Sequence, residues 1–212
     1  MIHIELSRGL SKPLAKHLKP AQASQPFLSW RADIAMIGSD TCIVAQEQYT
    51  RYIMVMCGLT NDDFSNFPDL FTDRIHRETA AICKQAGVYD SHTLSTELKC
   101  LLEQHHYSMD ADPWDHGRIL TVMEKLERRF LEERQPLPTD IRSAFKFGFQ
   151  LNSRKPKSRQ QPGKPSPIEA MGNRCLNLIE QRLQAAPAMP QEPIETNTVD
   201  NIVYVDFAGQ RR

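Results

Sequence analysis

Residues 28–59, LSWRADIAMIGSDTCIVAQEQYTRYIMVMCGL, decide the fold. Three runs rich in Trp, Ile, Val, Tyr and Met are separated by short polar stretches, the pattern of an antiparallel meander. The first run, Ser29 to Ile37, alternates, placing Trp30, Ala32, Ile34 and Met36 on one face. Gly38-Ser39-Asp40-Thr41 reads as a four-residue turn into a strand from Cys42 to Gln46. Glu47-Gln48-Tyr49 turns the chain again into Thr50 to Cys57. Both faces of that last run are apolar, which predicts a central strand covered on two sides and ended by Gly58.

Outward from the meander, Ile2, Ile4 and Leu6 alternate with His3 and Glu5, predicting a short first strand that pairs with it. Ser11-Lys12-Pro13 reads as a helix start with Leu14 and Leu18 on one face, followed by a loop bracketed by Pro20 and Pro26. After the meander, Thr60-Asn61-Asp62-Asp63 starts a helical turn. Asn66-Phe67-Pro68-Asp69 starts a longer helix reaching Gly87, with Leu70, Phe71, Ile75, Ala81 and Ile82 in register. Helices are also predicted over Ser95–Gln104 and from Asp112-Pro113 to Pro136. The second carries a stripe of Ile119, Val122, Met123, Leu126, Phe130 and Leu131 and a charged outer face. A short helix follows Asp140, and Ser166-Pro167-Ile168-Glu169 is a capping box opening a helix to about Gln184. Asn201 to Phe207, NIVYVDF, reads as a terminal strand after a Pro-rich spacer.

These elements predict an α+β protein: a small antiparallel sheet, the N-terminal strand plus the three-stranded meander, packed by several helices. A basic linker, one more helix and the terminal strand come after it. In domain terms, 1–150 is the α+β core, 151–165 the basic linker and 166–212 the C-terminal helix, spacer and strand.

Composition narrows the function classes. Twenty-six Lys and Arg balance 26 Asp and Glu, so any nucleic-acid or membrane contact must rest on local charge. The N-terminus lacks an apolar signal region and no run of 18 apolar residues occurs, which points to a cytoplasmic protein with no membrane partner. Cys42, Cys57, Cys83, Cys100 and Cys175 sit in apolar patterns without a C-x-x-C pair. They read as reduced core thiols, with Cys42 and Cys57 able to face each other across the meander. No dinucleotide fingerprint, P-loop or nucleophile elbow is present, and no cofactor is implied.

Three groups carry candidate chemistry. The segment from Ile141 to Lys164 holds seven basic residues, Arg142, Lys146, Arg154, Lys155, Lys157, Arg159 and Lys164, and no acidic one. Phe145, Phe147 and Phe149 precede its densest part. Such an arm neutralises phosphates and offers rings for stacking, while the plain alternative is a solvated linker with the phenylalanines in the core. The second group, His105, His106, Asp110, Asp112 and His116, offers mixed nitrogen and oxygen ligands for a divalent metal, but in no known metal-site spacing. A polar loop before a helix, with Asp112 as its cap, reads more simply. Arg31, Asp33 and Arg51 on adjacent strands form a polar surface beside Trp30, most simply an ion pair flanking a core tryptophan.

The order of the meander, the Gly58-Leu59 turn and NFPDLFTDRI resembles a bacterial domain family of unknown function. Its members have a short Met-Ile strand, an SWHA-like tryptophan strand and an L-x-x-L-F helix. The likeness covers mainly residues 1–88 and more loosely LNSRKP and SPIEAM near 151–171. It rests on Ser29, Trp30, Ala32, Thr50, Tyr52, Gly58, Leu59, Phe64, Leu70 and Phe71. Arg31 stands where the family pattern has histidine, so no imidazole role carries over to this position. The resemblance implies a fold and a bacterial or mobile-element setting, and no mechanism.

The leading expectation is a non-enzymatic binding or regulatory protein contacting nucleic acid, or a protein–nucleic-acid complex, through the basic segment. The alternatives are a metal-dependent hydrolase or nuclease using the His/Asp group, and a protein-interaction module whose strand Ile202–Phe207 adds to a partner sheet.

Overall fold

A computed structural model describes residues 1–20, 26–109, 117–155 and 163–185. Five strands, β1 (Ile2–Leu6), β2 (Leu28–Ile37), β3 (Asp40–Glu47), β4 (Ile53–Leu59) and β5 (His105–Met109), form one sheet in the order β4-β3-β2-β1-β5. The meander is antiparallel as its pattern requires, with Trp30 opposite Glu47 and Ala45 opposite Met54. Its first turn is tighter than the sequence suggests. Ile37 pairs with Asp40, so Gly38 and Ser39 alone make the loop. Gly38 has φ 62°, and a Cβ there would meet the Phe130 ring at 2.5 Å, so this turn needs glycine on both counts.

The α+β class stands, and two features of the sheet differ from the expected antiparallel set. The first strand pairs with β2 in parallel, Ile4 beside Trp30. A fifth strand, read from sequence as loop, lies parallel on its other side with Tyr107 beside Ile4. Tyr107 is the fully buried residue that places this otherwise polar segment in the sheet. β4 is buried on both faces yet occupies an edge. Asn152, itself fully buried, explains how. Its amide accepts from Ile53 N at 2.8 Å and donates to Ile53 O at 2.7 Å, doing for the outer edge what a neighbouring strand would do.

Near the N-terminus, Ser7 caps helix α1 (Arg8–Ser11) and Ala15–His17 forms a 3₁₀ turn, so Ser11 ends a helix where a start was expected. Pro13 accounts for this, because proline has no N–H with which to continue the helical ladder past Lys12. Helices α2 (Asn61–Ser65), α3 (Phe67–Lys84), α4 (Ser91–Leu102), α5 (Gly117–Leu131), α6 (Ile141–Asn152) and α7 (Pro167–Ala185) follow. Thr60 with Asp63 and Ser166 with Glu169 make the capping contacts at α2 and α7, while Asp90 and Asp140 cap α4 and α6.

The sheet separates two cores. On one face Ile2, Ile4, Trp30, Ala32, Tyr52 and Met54 pack under α3, α4 and α7, which supply Phe71, Ile75, Leu98, Met171 and Ile179. Trp30 meets Phe71 and Tyr52 edge-on, with centroids 5.8 and 6.5 Å apart. On the other face Cys42, Val44, Ile53, Val55 and Cys57 pack under α5 and the edge of α6. Cys42 and Cys57 are directly opposed and reduced. Of the predicted α5 stripe, Leu131 is exposed instead of packed, because the helix ends there.

One ion pair lies inside the first core. Arg74 Nε meets Glu78 Oε1 at 2.6 Å and Tyr52 donates to Glu78 Oε2 at 2.8 Å. Arg74 also reaches Ile141 O at 3.1 Å, tying α3 to the start of α6.

Candidate functional site

The basic residues divide between one face of α6 and the segment C-terminal to it. Asp140 fixes the start of α6: its carboxylate accepts from Arg142 N and Ser143 N, both at 2.9 Å, and from Ser143 Oγ at 2.6 Å. The Ser143 hydroxyl leads in holding its pKa below the usual range. From that start, the spacing of 3.6 residues per turn groups Arg142, Lys146 and Gln150 along one exposed strip. Ile141, Phe145 and Phe149 run beside it, with the Phe145 and Phe149 rings 6.3 Å apart. Ile141 is 53% exposed and Phe149 38%. Gly148, Asn152 and Ala144 face inward against β4, which is why the helix turns this mixed face to solvent.

Phe145 and Phe147 are half-buried, so Phe149 is the ring most available for stacking. Phe147 packs against the second core and carries the Arg129 guanidinium 5.8 Å above it. Between α5 and α6 lies a groove of about 420 Å³, lined by Arg129, Pro136, Ser143, Lys146, Phe147 and Gln150 among others. Arg154 and Lys155 continue the exposed basic surface. Lys155 Nζ stands 3.8 Å from Glu169, an exposed pair worth little. Lys164 is exposed, and Lys157 and Arg159 lie outside the described residues.

Of the proposed metal group, the structure describes only the two histidines. His105 and His106 are consecutive residues of β5 and so point to opposite faces, while Asp110, Asp112 and His116 lie outside the described residues. Among the described residues, no group of three or more His, Cys, Asp or Glu could hold a metal ion. Burial lowers the pKa of both histidines. His106 is 2% exposed, with neither ring nitrogen hydrogen-bonded, and its neighbours His3 and Lys19 push it further down.

The Arg31, Asp33 and Arg51 surface is real but differently wired. Arg31 lies on the face opposite Trp30 and pairs with Glu5 at 2.8 Å, not with Asp33. Asp33 accepts from Ser7 Oγ and from Ile34 N. With the Gln46 amide oxygen turned toward Arg51, it accepts from Arg51 Nε at 2.9 Å.

Parallel pairing of β1 with both neighbours puts Ser108, Glu5 and Arg31 in one row across the sheet, and Gln46 opposite Arg31 extends it. His3 and His106 stand in the adjacent row, rings 5.5 Å apart. His3 Nε2 is 2.7 Å from Ser108 Oγ, and Gln48 Nε2 donates to Glu5 at 2.9 Å. A cleft of about 310 Å³ lined by Arg31, Gln46, Gln48, Tyr49 and Arg51 opens beside this row. None of His3, Glu5, Gln48 or Ser108 stood out in the sequence as a functional residue. The alternation of His106, Tyr107 and Ser108 around one core ring is the signal that would have exposed β5.

The turn that shapes the cleft is held from below. Glu47 is fully buried and accepts from Tyr49 N, Thr50 N and Thr50 Oγ1 at 3.0, 2.7 and 2.8 Å. Arg174 of α7 lies over the Tyr49 ring at 4.3 Å and donates to Phe27 O.

Residues 3–138 match the family described as a domain of unknown function (DUF6933). The chain belongs to that family. The match agrees with the resemblance carried by the tryptophan meander, and it extends through β5 and α5. The polar row and the cleft therefore fall inside the DUF6933 region, whereas α6, with its basic face, and α7 lie beyond it. No curated protein matches the chain. No helix among the described residues of this DUF6933 member is long and apolar enough to cross a membrane.

Proposed function

We propose that this protein binds nucleic acid, or a protein–nucleic-acid complex, along the outer face of α6 and the basic residues C-terminal to it. The observation carrying the reading is the side-by-side arrangement on one exposed helix face of Arg142 and Lys146 with Phe149. Cations one turn apart, about 6 Å along the axis, address successive phosphates, and an exposed ring offers a surface for an unpaired base. Arg129 and the groove beside Lys146 widen the same surface. The absence of any acidic residue from Ile141 to Lys164 keeps the local field positive in a chain of zero net charge.

The phenylalanine favours single-stranded or unpaired nucleic acid over duplex, because stacked bases in a duplex leave no face for the ring. The test is to replace Arg154, Lys155, Lys157 and Arg159 together by alanine, and Arg142 and Lys146 in a second variant. Binding to a labelled mixed-sequence single strand is then measured by fluorescence anisotropy. Both variants are expected to bind at least tenfold more weakly at low salt, and unchanged affinity in both removes the reading.

A further inference from the structure

We propose that Ser108, His3 and Glu5 form a relay in which Ser108 is a nucleophile toward carboxylic esters, an activity independent of the α6 surface. The parallel register sets Glu5 opposite Ser108 on the neighbouring strand. The two-residue repeat then brings His3 to the same face as Glu5. The imidazole stands between the other two groups: Nε2 is 2.7 Å from Ser108 Oγ and Nδ1 is 4.0 Å from Glu5 Oε1. Glu5 is itself held, because Arg31 Nε at 2.8 Å and Gln48 Nε2 at 2.9 Å both bind Oε2. That leaves Oε1 as the oxygen facing His3. A nucleophile bonded to a base that a third group orients is the diagnostic arrangement of covalent catalysis, and such contacts are commonly long before substrate binds.

The pair is open to solvent. Ser108 is partly exposed, the His3 side chain is 22% exposed, and both lie on the sheet's polar face. The cleft of about 310 Å³ begins at Arg31 and Gln48, the two side chains that anchor Glu5. Arg31 lies two strand spacings, about 10 Å, from Ser108, so the cleft lies to one side of the nucleophile.

The chemistry closes on water alone. Ser108 Oγ forms a bond to the ester carbonyl carbon as its proton passes to His3 Nε2, and the departing alkoxide takes that proton as its bond breaks. Water then attacks the acyl-serine, giving a proton to His3 that returns to Oγ as the carboxylic acid leaves. Glu5 is a positioning residue that favours the transient imidazolium.

The full chain is incubated with a fluorophosphonate probe, the site of labelling is mapped by mass spectrometry, and p-nitrophenyl butyrate hydrolysis is followed across pH. Wild type is expected to be labelled at Ser108, S108A to lose both label and hydrolysis, and H3Q to slow both roughly 100-fold. E5Q is expected to retain labelling but move the base limb of the pH profile to lower pH, a shift that a merely structural Glu5 would not produce. Absence of label on folded wild type, a label elsewhere, or labelling indifferent to H3Q would overturn the proposal. Wild-type labelling needs no variant to fold, and nucleic-acid binding bears on none of these results.

Discussion

Asn152→Ala should unlock the sheet edge on which α6 is hung. The Asn152 amide is the partner of both Ile53 backbone groups, at 2.8 and 2.7 Å, and no water reaches the side chain. Alanine leaves one N–H and one C=O buried without partners, each costing about 1–3 kcal/mol. A loss of about 3 kcal/mol is therefore expected, and at 2–4 °C per kcal/mol for a chain of this size the melting temperature falls by roughly 6–12 °C. N152D separates the two bonds: the carboxylate keeps the acceptor for Ile53 N but faces Ile53 O without a donor, so it should destabilise at least as much at neutral pH. Urea unfolding gives the free energy, and hydrogen exchange at the Ile53 amide gives the local effect. A loss below about 1 kcal/mol with unchanged exchange at Ile53 would refute the reasoning, since it would mean the edge of β4 is satisfied some other way.

Other consequences are open to similar measurement. Glu78→Ala strands the Arg74 guanidinium in the core and should cost about 3–5 kcal/mol, whereas replacing both partners by Leu and Met should cost far less; equal losses would deny the pairing. Burial raises the Glu78 pKa above 4.5 despite Arg74. Folding therefore takes up a proton there, and this contribution is fully present below about pH 4.5 and lost as pH rises through the folded value. E78Q should flatten that part of the stability profile. His106 behaves in the opposite sense. Its folded pKa lies below 6.5, so its contribution holds above about 6.5 and is lost as pH falls through the lowered value. His106→Leu should reduce acid sensitivity below pH 6.5, and an identical profile would show that this imidazole is not the titrating group.

Most of the meander was legible in the sequence because each strand repeats with period two and one face must be buried. Trp30 and Ala32 mark that face, and Gly38 marks the turn. Parallel pairing of β1 was not legible. His3 and Glu5 alternate with Ile2, Ile4 and Leu6 in the same way whichever direction the neighbour runs. β5 was hidden by composition, since His105-His106-Tyr107-Ser108-Met109 places a single apolar residue in the core and looks like loop until a strand is found beside it. β4 looked central because both its faces are apolar; the group closing its edge, Asn152, is 99 residues away and invisible to any local window. The basic segment could be read from sequence as charge. That Arg142 and Lys146 share an exposed face with Phe149 depends on Asn152 and Gly148 turning the other side of α6 inward, a tertiary fact. The polar row needed β5, so its members were missed together.

The most direct test of nucleic-acid binding is a salt titration of the purified full chain with a labelled mixed-sequence single strand, alongside the matching duplex. Engagement of all seven cations gives a slope of log affinity against log salt of about −5 for a single strand, and the Arg142–Lys146 pair alone gives about −1.4. Binding to the single strand is expected to be stronger than to duplex, with a slope within that range. It is contradicted if no binding occurs at low salt, or if binding occurs without salt dependence.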